Sequence, residues 1–231
     1  MNASGYGYGI KKCEKYVIPD PGSKYKEIFS RHNAKYIGDI SKKEIYLTFD
    51  AGYENGTMEE VLNILKLKNV HATFFLTGHY IKSEKELVKR MVNEGHIVAN
   101  HSYKHLDFTK SSPYEIKEDL KKLESLYYEV TGKEMIKVVR PPEGTFSEES
   151  LKVTDELGYT TLFWSIAYVD WIESDTRGWE YAYQNVVGRI HNGAIILMHP
   201  VSKDNLEALP KIIDDLKKEN FTFESITSLI A

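Results

Sequence analysis

The chain has 231 residues, 42% of them hydrophobic, which supports a substantial core and excludes a disordered or fibrous protein. Lys plus Arg number 30 against 34 Asp plus Glu, a formal charge of −4 that offers no electrostatic footprint for nucleic acid or a polybasic membrane contact. A lone cysteine, Cys13, excludes an intramolecular disulfide and a cysteine-based metal site, so any metal must be held by His and carboxylates.

Residues 1–22 hold Gly5, Gly7, Gly9 and the turn cluster Pro19-Asp20-Pro21-Gly22 and are expected to form an irregular arm, followed by a short helix near Tyr25 to Arg31. From Glu44 onward, β-rich runs alternate with helical patterns. Ile45 to Phe49 is a strand, and Thr57 with Glu60 forms a capping box opening a helix with Met58, Val61, Leu62 and Leu65 on its apolar face. Ala72 to Thr77 is a second strand; Ser83 with Glu86 caps the next helix, which Gly95 ends, and His96 to Asn100 is the third strand. Ser112-Pro113-Tyr114-Glu115 starts a helix through Ile116, Leu120, Leu123 and Tyr127 that stops at Gly132. Then follow a strand at Val138 to Arg140, a helix from Ser147 to Leu157, a strand from Thr160 to Ser165 and a helix from Trp179 to Ile190. A strand from Ala194 to His199, a helix from Leu206 to Glu219 and a short run near Phe221 to Glu224 complete the chain. About seven strands interleaved with helices imply an α/β fold with a parallel sheet, open or closed into a barrel.

In such folds the active site lies at the carboxyl ends of the strands. Those ends carry Asp50, Asn100-His101, Arg140, Asp170-Trp171 and His199. His101 and His105 are the only His pair at four-residue spacing, which on a helical turn brings two imidazoles to one face able to hold one cation. Asp50, followed by the small Ala51 and Gly52, suits a general base acting on water activated by that cation. His199 suits a general acid provided a carboxylate keeps it protonated, with Asp170 as the partner. Trp171 is the one tryptophan beside a proposed catalytic residue and offers a sugar-stacking face; the other histidines read as structural or solvated.

Five segments in order, Thr48-Phe49-Asp50-Ala51-Gly52, His101-Ser102-Tyr103-Lys104-His105, Arg140-Pro141-Pro142-Glu143-Gly144, Asp170-Trp171 and Leu197-Met198-His199, resemble the motifs of the polysaccharide deacetylases, the NodB-like carbohydrate esterases. Gly52 to Gly56, Ala167 to Trp171 and Val201 to Asn205 are similar to a sporulation subgroup, the delta-lactam-biosynthetic de-N-acetylases acting on muramic acid of spore-cortex peptidoglycan. The resemblance implies a distorted (β/α) barrel, with residues 1–40 an arm packed on a catalytic domain of residues 41–231. It also implies a divalent metal, commonly zinc, on His101 and His105, with Asp50 as base, Arg140 buttressing it, and Asp170 orienting the acid His199. Leu197 and Trp171 would form the acetyl pocket, the Glu143 N–H would help stabilise the oxyanion, and Tyr53 would contact substrate.

The family's usual second Asp, a metal ligand, is replaced by Ala51, and the usual aromatic at position 143 by Glu143. Weaker metal binding is expected, with water or another side chain completing the sphere. Two competing readings are deacetylation of chitin-type or N-acetylglucosamine polymers and a non-catalytic glycan-binding homologue. Peptidoglycan strands are the expected partner and a monomer the expected state. Met1 to Gly5 shows no apolar leader, and because the implied substrate lies outside the cytoplasm, an exported protein with a trimmed signal is expected.

Overall fold

The computed structural model describes residues 5–230; the first residues of the segment searched for a leader lie outside that range. Among the described residues ten strands are present: β1 (Tyr6–Gly7), β2 (Ala34–Lys35), β3 (Glu44–Ala51), β4 (Thr73–Leu76), β5 (Ile97–Asn100), β6 (Val138–Val139), β7 (Thr145–Phe146), β8 (Thr160–Leu162), β9 (Ile195–Met198) and β10 (Thr222–Phe223). The helices are α1 (Ser23–Arg31), α2 (Met58–Leu67), α3 (Gly78–Ser83), α4 (Lys85–Asn93), α5 (Pro113–Thr131), α6 (Glu148–Glu156), α7 (Trp179–Val186), α8 (Lys203–Lys218) and α9 (Thr227–Ile230).

Seven strands run in the spatial order β10-β3-β4-β5-β6-β8-β2, and β9 also pairs with β3, all in parallel register. Ile166, just past β8, makes a parallel bridge to Ile196 of β9 and curls the sheet into the distorted, incomplete barrel expected. Both faces of the sheet are covered, which is why β3 is buried from Ile45 to Ala51 rather than alternating polar and apolar. Leu47, Phe49 and Ala51 point outward and pack with Met58, Val61, Leu62 and Leu65 of α2. The opposite face sends Tyr46 inward toward Phe75, Phe163, Trp164 and Leu197. Thr48 and Asp50 share that inward face, by the two-residue period of a strand.

Local signals were obeyed where nothing competed for the side chain. Ser112 and Glu115 form a complete capping box on α5, and Gly132 ends that helix in the left-handed region at φ 68°. The capping box expected at Thr57 and Glu60 does not form. The Thr57 hydroxyl donates instead to the Pro200 carbonyl at 2.6 Å, and Glu54 takes over the end of α2, accepting from the N–H groups of Gly56 and Met58. Ser83 does not cap either; it is the last residue of α3, whose own cap is Thr77, accepting from the Tyr80 N–H. Residues 5–40 are more ordered than the glycines suggest: β1 pairs antiparallel with β7, and β2 joins the main sheet beside β8. No helix among the described residues is long and apolar enough to cross a membrane.

Candidate active site

The carboxyl ends of β3, β5, β6 and β9 converge on one polar cluster, and Arg140 is its hub. The guanidinium is fully buried, so each of its N–H groups needs an acceptor. Nη1 donates to Asp50 Oδ1 at 2.7 Å and to Thr48 Oγ1 at 2.9 Å, Nε to the Leu162 carbonyl and Nη2 to the Phe163 carbonyl. The Phe75 ring lies 4.1 Å from the guanidinium carbon, adding a cation–π contact. Burial alone would raise the pKa of Asp50, but Arg140, with smaller help from His101 and His199, holds it below the ordinary carboxylate value. Asp50 therefore stays ionised inside the protein.

The second motif is not a helical turn. Ser102 and His105 both adopt left-handed backbone conformations, at φ 66° and 56°, so the chain loops back on itself. Asp119 of α5 holds the loop: its carboxylate accepts from the Ser102 hydroxyl at 2.7 Å, the Tyr103 N–H at 2.6 Å and the Lys104 N–H at 3.0 Å. Asn100 accepts from the Ser102 N–H and donates to the Leu120 carbonyl and the Tyr159 hydroxyl. The expected outcome, two adjacent imidazoles, holds by this different route. The His101 and His105 rings stand edge to face with centroids 5.2 Å apart.

His101 Nδ1 is 2.9 Å from the Arg140 carbonyl oxygen, which can only accept, so Nδ1 carries the proton and Nε2 presents a lone pair. Burial pushes the His101 pKa down to about 4, against the pull of Asp50, so the ring is neutral at ordinary pH. Its Nε2 faces Asp50 Oδ2 at 3.7 Å. A lone pair and an ionised carboxylate opposed in this way, with no proton between them, form an electron-rich gap suited to a cation. The donors present thus fit a divalent metal on His101 and His105 with Asp50 at its margin. They form a partial set: among the described residues no three His, Cys, Asp or Glu side chains gather into a complete cage. Ala51 contributes none, since its methyl belongs to the outer apolar layer.

Across the site, His199 follows β9. Asp170 accepts from its Nδ1 at 2.7 Å and from its backbone N–H at 2.8 Å, so the ring is gripped twice by one carboxylate. Burial works against the charged ring, but Asp170, seconded by Asp50, raises the His199 pKa above the ordinary imidazole value. Asn205 donates to Asp170 at 2.6 Å and to the His199 carbonyl, and is itself oriented by the Tyr168 hydroxyl. The half-exposed Trp171 ring stands edge to face with His199, centroids 5.7 Å apart. Leu197 is buried beneath, two residues back along β9.

Tyr53 lies on the rim, its hydroxyl donating to Glu173, which also accepts from Asn55. Glu143 is exposed at the tip of the turn after β6, in the left-handed region at φ 57°. Sequence reasoning placed Asn100 at a strand end but missed the supporting roles of Thr48, Asp119, Tyr168, Asn205 and Glu173. Thr48, Tyr168 and Asn205 lie within the motif segments, and Asp119 left a signal of its own: it falls three residues after Ile116, on the buried face of an otherwise amphipathic helix.

A curled parallel α/β sheet whose strand ends gather a buried Asp–Arg pair, two adjacent imidazoles and a histidine gripped by a carboxylate is the architecture of a hydrolase. A family model described as polysaccharide deacetylase matches residues 38–162. A peptidoglycan-N-acetylmuramic acid deacetylase of Bacillus subtilis, PdaA, is 45% identical over 223 residues, 96% of this chain and 85% of its own length. An uncharacterised 30.6 kDa protein of Geobacillus stearothermophilus is 49% identical over 223 residues, covering 96% of this chain and 84% of that one. The solved structure of PdaA, described as a family 4 carbohydrate esterase, superposes with a TM-score of 0.94 at 44% identity, over 98% of this chain and 97% of that chain. This chain belongs to the polysaccharide deacetylase family.

Proposed function

We propose that the protein hydrolyses the N-acetyl amide of N-acetylmuramic acid in peptidoglycan, in the manner that leads to muramic delta-lactam in the spore cortex, and that it acts as an exported protein in the cell envelope or forespore intermembrane space. The carrying observation is the opposition of two proton-handling groups: Asp50, kept ionised by Arg140, and His199, kept protonated by Asp170. The substrate follows from similarity to a deacetylase of that sugar.

His101 and His105 would hold the divalent cation, zinc by family resemblance, with water completing the sphere where Ala51 supplies no ligand. When bound there, the cation supplies Lewis acidity toward the acetamide carbonyl and the attacking water. Asp50 accepts a proton from the water as its oxygen adds to the carbonyl carbon. The Glu143 N–H, presented by the turn after β6, donates to the developing oxyanion. His199 then delivers its proton to the amide nitrogen, the C–N bond breaks, and acetate and the free amine leave. Trp171 and Leu197 line the side of the site next to the acid and receive the acetyl methyl, with Tyr53 as a rim contact to the glycan.

The test is acetate release from amidase-treated peptidoglycan, with and without chelator, alongside chitooligosaccharides. Release from peptidoglycan that chelator abolishes is the expected result. Release from chitooligosaccharides alone would transfer the chemistry to N-acetylglucosamine polymers, and saturable glycan binding without any release would identify a binding protein.

A further inference from the structure

The N-terminal arm lies outside the matched family region, which begins at residue 38, yet residues 5–8 touch three of the segments that build the site. Tyr6 and Gly7 pair antiparallel with Phe146 and Thr145, the residues that follow the Glu143 turn. The Tyr8 N–H donates to the Gly144 carbonyl at 2.9 Å, and the buried Tyr8 hydroxyl donates to the Trp164 carbonyl at 2.9 Å. The Tyr8 ring lies 4.7 Å from the Phe163 ring and edge-on to Trp164 at 5.4 Å. Phe163 is the residue whose carbonyl accepts from the Arg140 guanidinium. Gly144 has no room for a side chain: a Cβ there would stand 2.7 Å from the Trp164 ring and 3.3 Å from the Tyr8 carbonyl oxygen. At the arm's start, Gly5 is pressed against Thr109 on the loop that follows His105, where a Cβ would come within 2.6 Å of the threonine.

The turn with Glu143 and Gly144 both at positive φ is closed by its own bonds, the Gly144 N–H to the Pro141 carbonyl and the Thr145 hydroxyl to the Pro142 carbonyl, each at 3.0 Å, so the arm acts on where the turn sits and not on its closure. Its N–H can stabilise an oxyanion only if it is already aimed when charge develops. We propose that Tyr8, with Tyr6 and Gly7, is a positioning element for catalysis, a buckle that fixes the Glu143 turn and the carbonyls gripping Arg140. This inference rests on the deacetylase reading above. Tyr8 touches no reacting atom; it acts through Gly144, Phe163 and Trp164.

The test uses the full chain and compares kcat and KM for acetate release in Tyr8→Leu, Tyr8→Phe and Tyr6→Ser. Leu216→Ala in the outer layer, in a different apolar cluster from Tyr8, serves as a variant destabilised for unrelated reasons. Tyr8→Leu is expected to lower kcat about tenfold with KM within about twofold, the signature of an interaction made in the transition state. Tyr8→Phe, which keeps the ring, returns kcat to within about threefold of wild type, and Leu216→Ala leaves it unchanged. Should Tyr8→Leu fail to fold, Tyr6→Ser carries the test, with a smaller fall in kcat at constant KM. Wild-type kcat in the folded arm variants, or an equal loss in Leu216→Ala, overturns the buckle and leaves the deacetylase reading standing. A wild-type protein that releases no acetate overturns both.

Discussion

Arg140 holds His101 by its backbone, the Arg140 carbonyl oxygen accepting from His101 Nδ1–H at 2.9 Å, while its side chain holds Asp50 at 2.7 Å. One residue therefore sets the tautomer of the proposed metal donor His101 and the charge of the proposed base Asp50. The two functions are coupled because β6 ends between β5 and β8, so its last peptide faces His101 and its side chain crosses the barrel toward β3.

Removing that side chain leaves Asp50 as a buried charge without its cation. Arg140→Gln is expected to lower unfolding free energy by about 3–5 kcal/mol in a denaturant titration and to reduce kcat about a hundredfold or more. Arg140→Lys keeps a charge but cannot reach Thr48, Asp50, Leu162 and Phe163 at once, so its loss should be intermediate. Wild-type stability in Arg140→Gln would refute the pairing.

The pH profile reports on Asp170. A general acid works only while protonated, and Asp170 raises the His199 pKa, so activity extends to higher pH than an ordinary imidazole allows. Asp170→Asn removes the charge that opposes burial. The basic limb of kcat/KM against pH should move to lower pH, while the acidic limb, set by Asp50, stays in place. Asn205→Ala should shift the basic limb in the same direction by less, since Asn205 only orients the carboxylate. A basic limb unmoved by Asp170→Asn would remove His199 from the role of acid.

Metal dependence should be visible in both ligands and supports. Chelator treatment should abolish acetate release and an added divalent cation restore it, with His101→Ala and His105→Ala each lowering the bound-metal stoichiometry. Asp119→Ala, which removes no ligand, should lower it too, because the loop carrying both histidines loses the acceptor for its hydroxyl and two N–H groups. The same change should cost about 1–3 kcal/mol of stability. Full metal loading in Asp119→Ala would show that the loop holds its shape without that carboxylate.

The two threonine and serine positions once equivalent by pattern should separate on mutation. Ser112→Ala removes a working cap and should cost about 1 kcal/mol by thermal or chemical denaturation. Thr57→Val removes a bond to the Pro200 carbonyl instead, untying the loop after β3 from the loop that carries His199. Thr57→Ser should restore what Thr57→Val loses, since only the hydroxyl is used, and a Thr57→Val protein as stable as wild type would show that bond to be dispensable.

Much of this was legible along the chain. Parallel strands buried on both faces write long apolar runs, and their carboxyl ends are the only places such a sheet exposes polar side chains to one another. Asp50, His101, Arg140, Asp170 and His199 therefore stood out by position as well as by chemistry. Strand runs and helix stops are short-range properties, and Ser112, Gly132, Ser147 and Gly158 behaved as local rules require. The two-residue strands β1, β2 and β7 left no pattern long enough to detect.

What the sequence determined by itself was the α/β alternation, the family motifs and which polar side chains stand at the strand ends, because each depends on residue type and near neighbours. The tertiary structure decided how those groups are charged and held. It converted the histidine pair from an expected helical turn into a loop bound to Asp119, and it gave Thr57 to a carbonyl 143 residues away. It also placed Tyr8 against the Glu143 turn. A buried polar atom takes whichever partner lies within reach, since leaving it unpaired costs more than any local preference is worth. That partner is chosen by the folded sheet, not by the chain's own spacing.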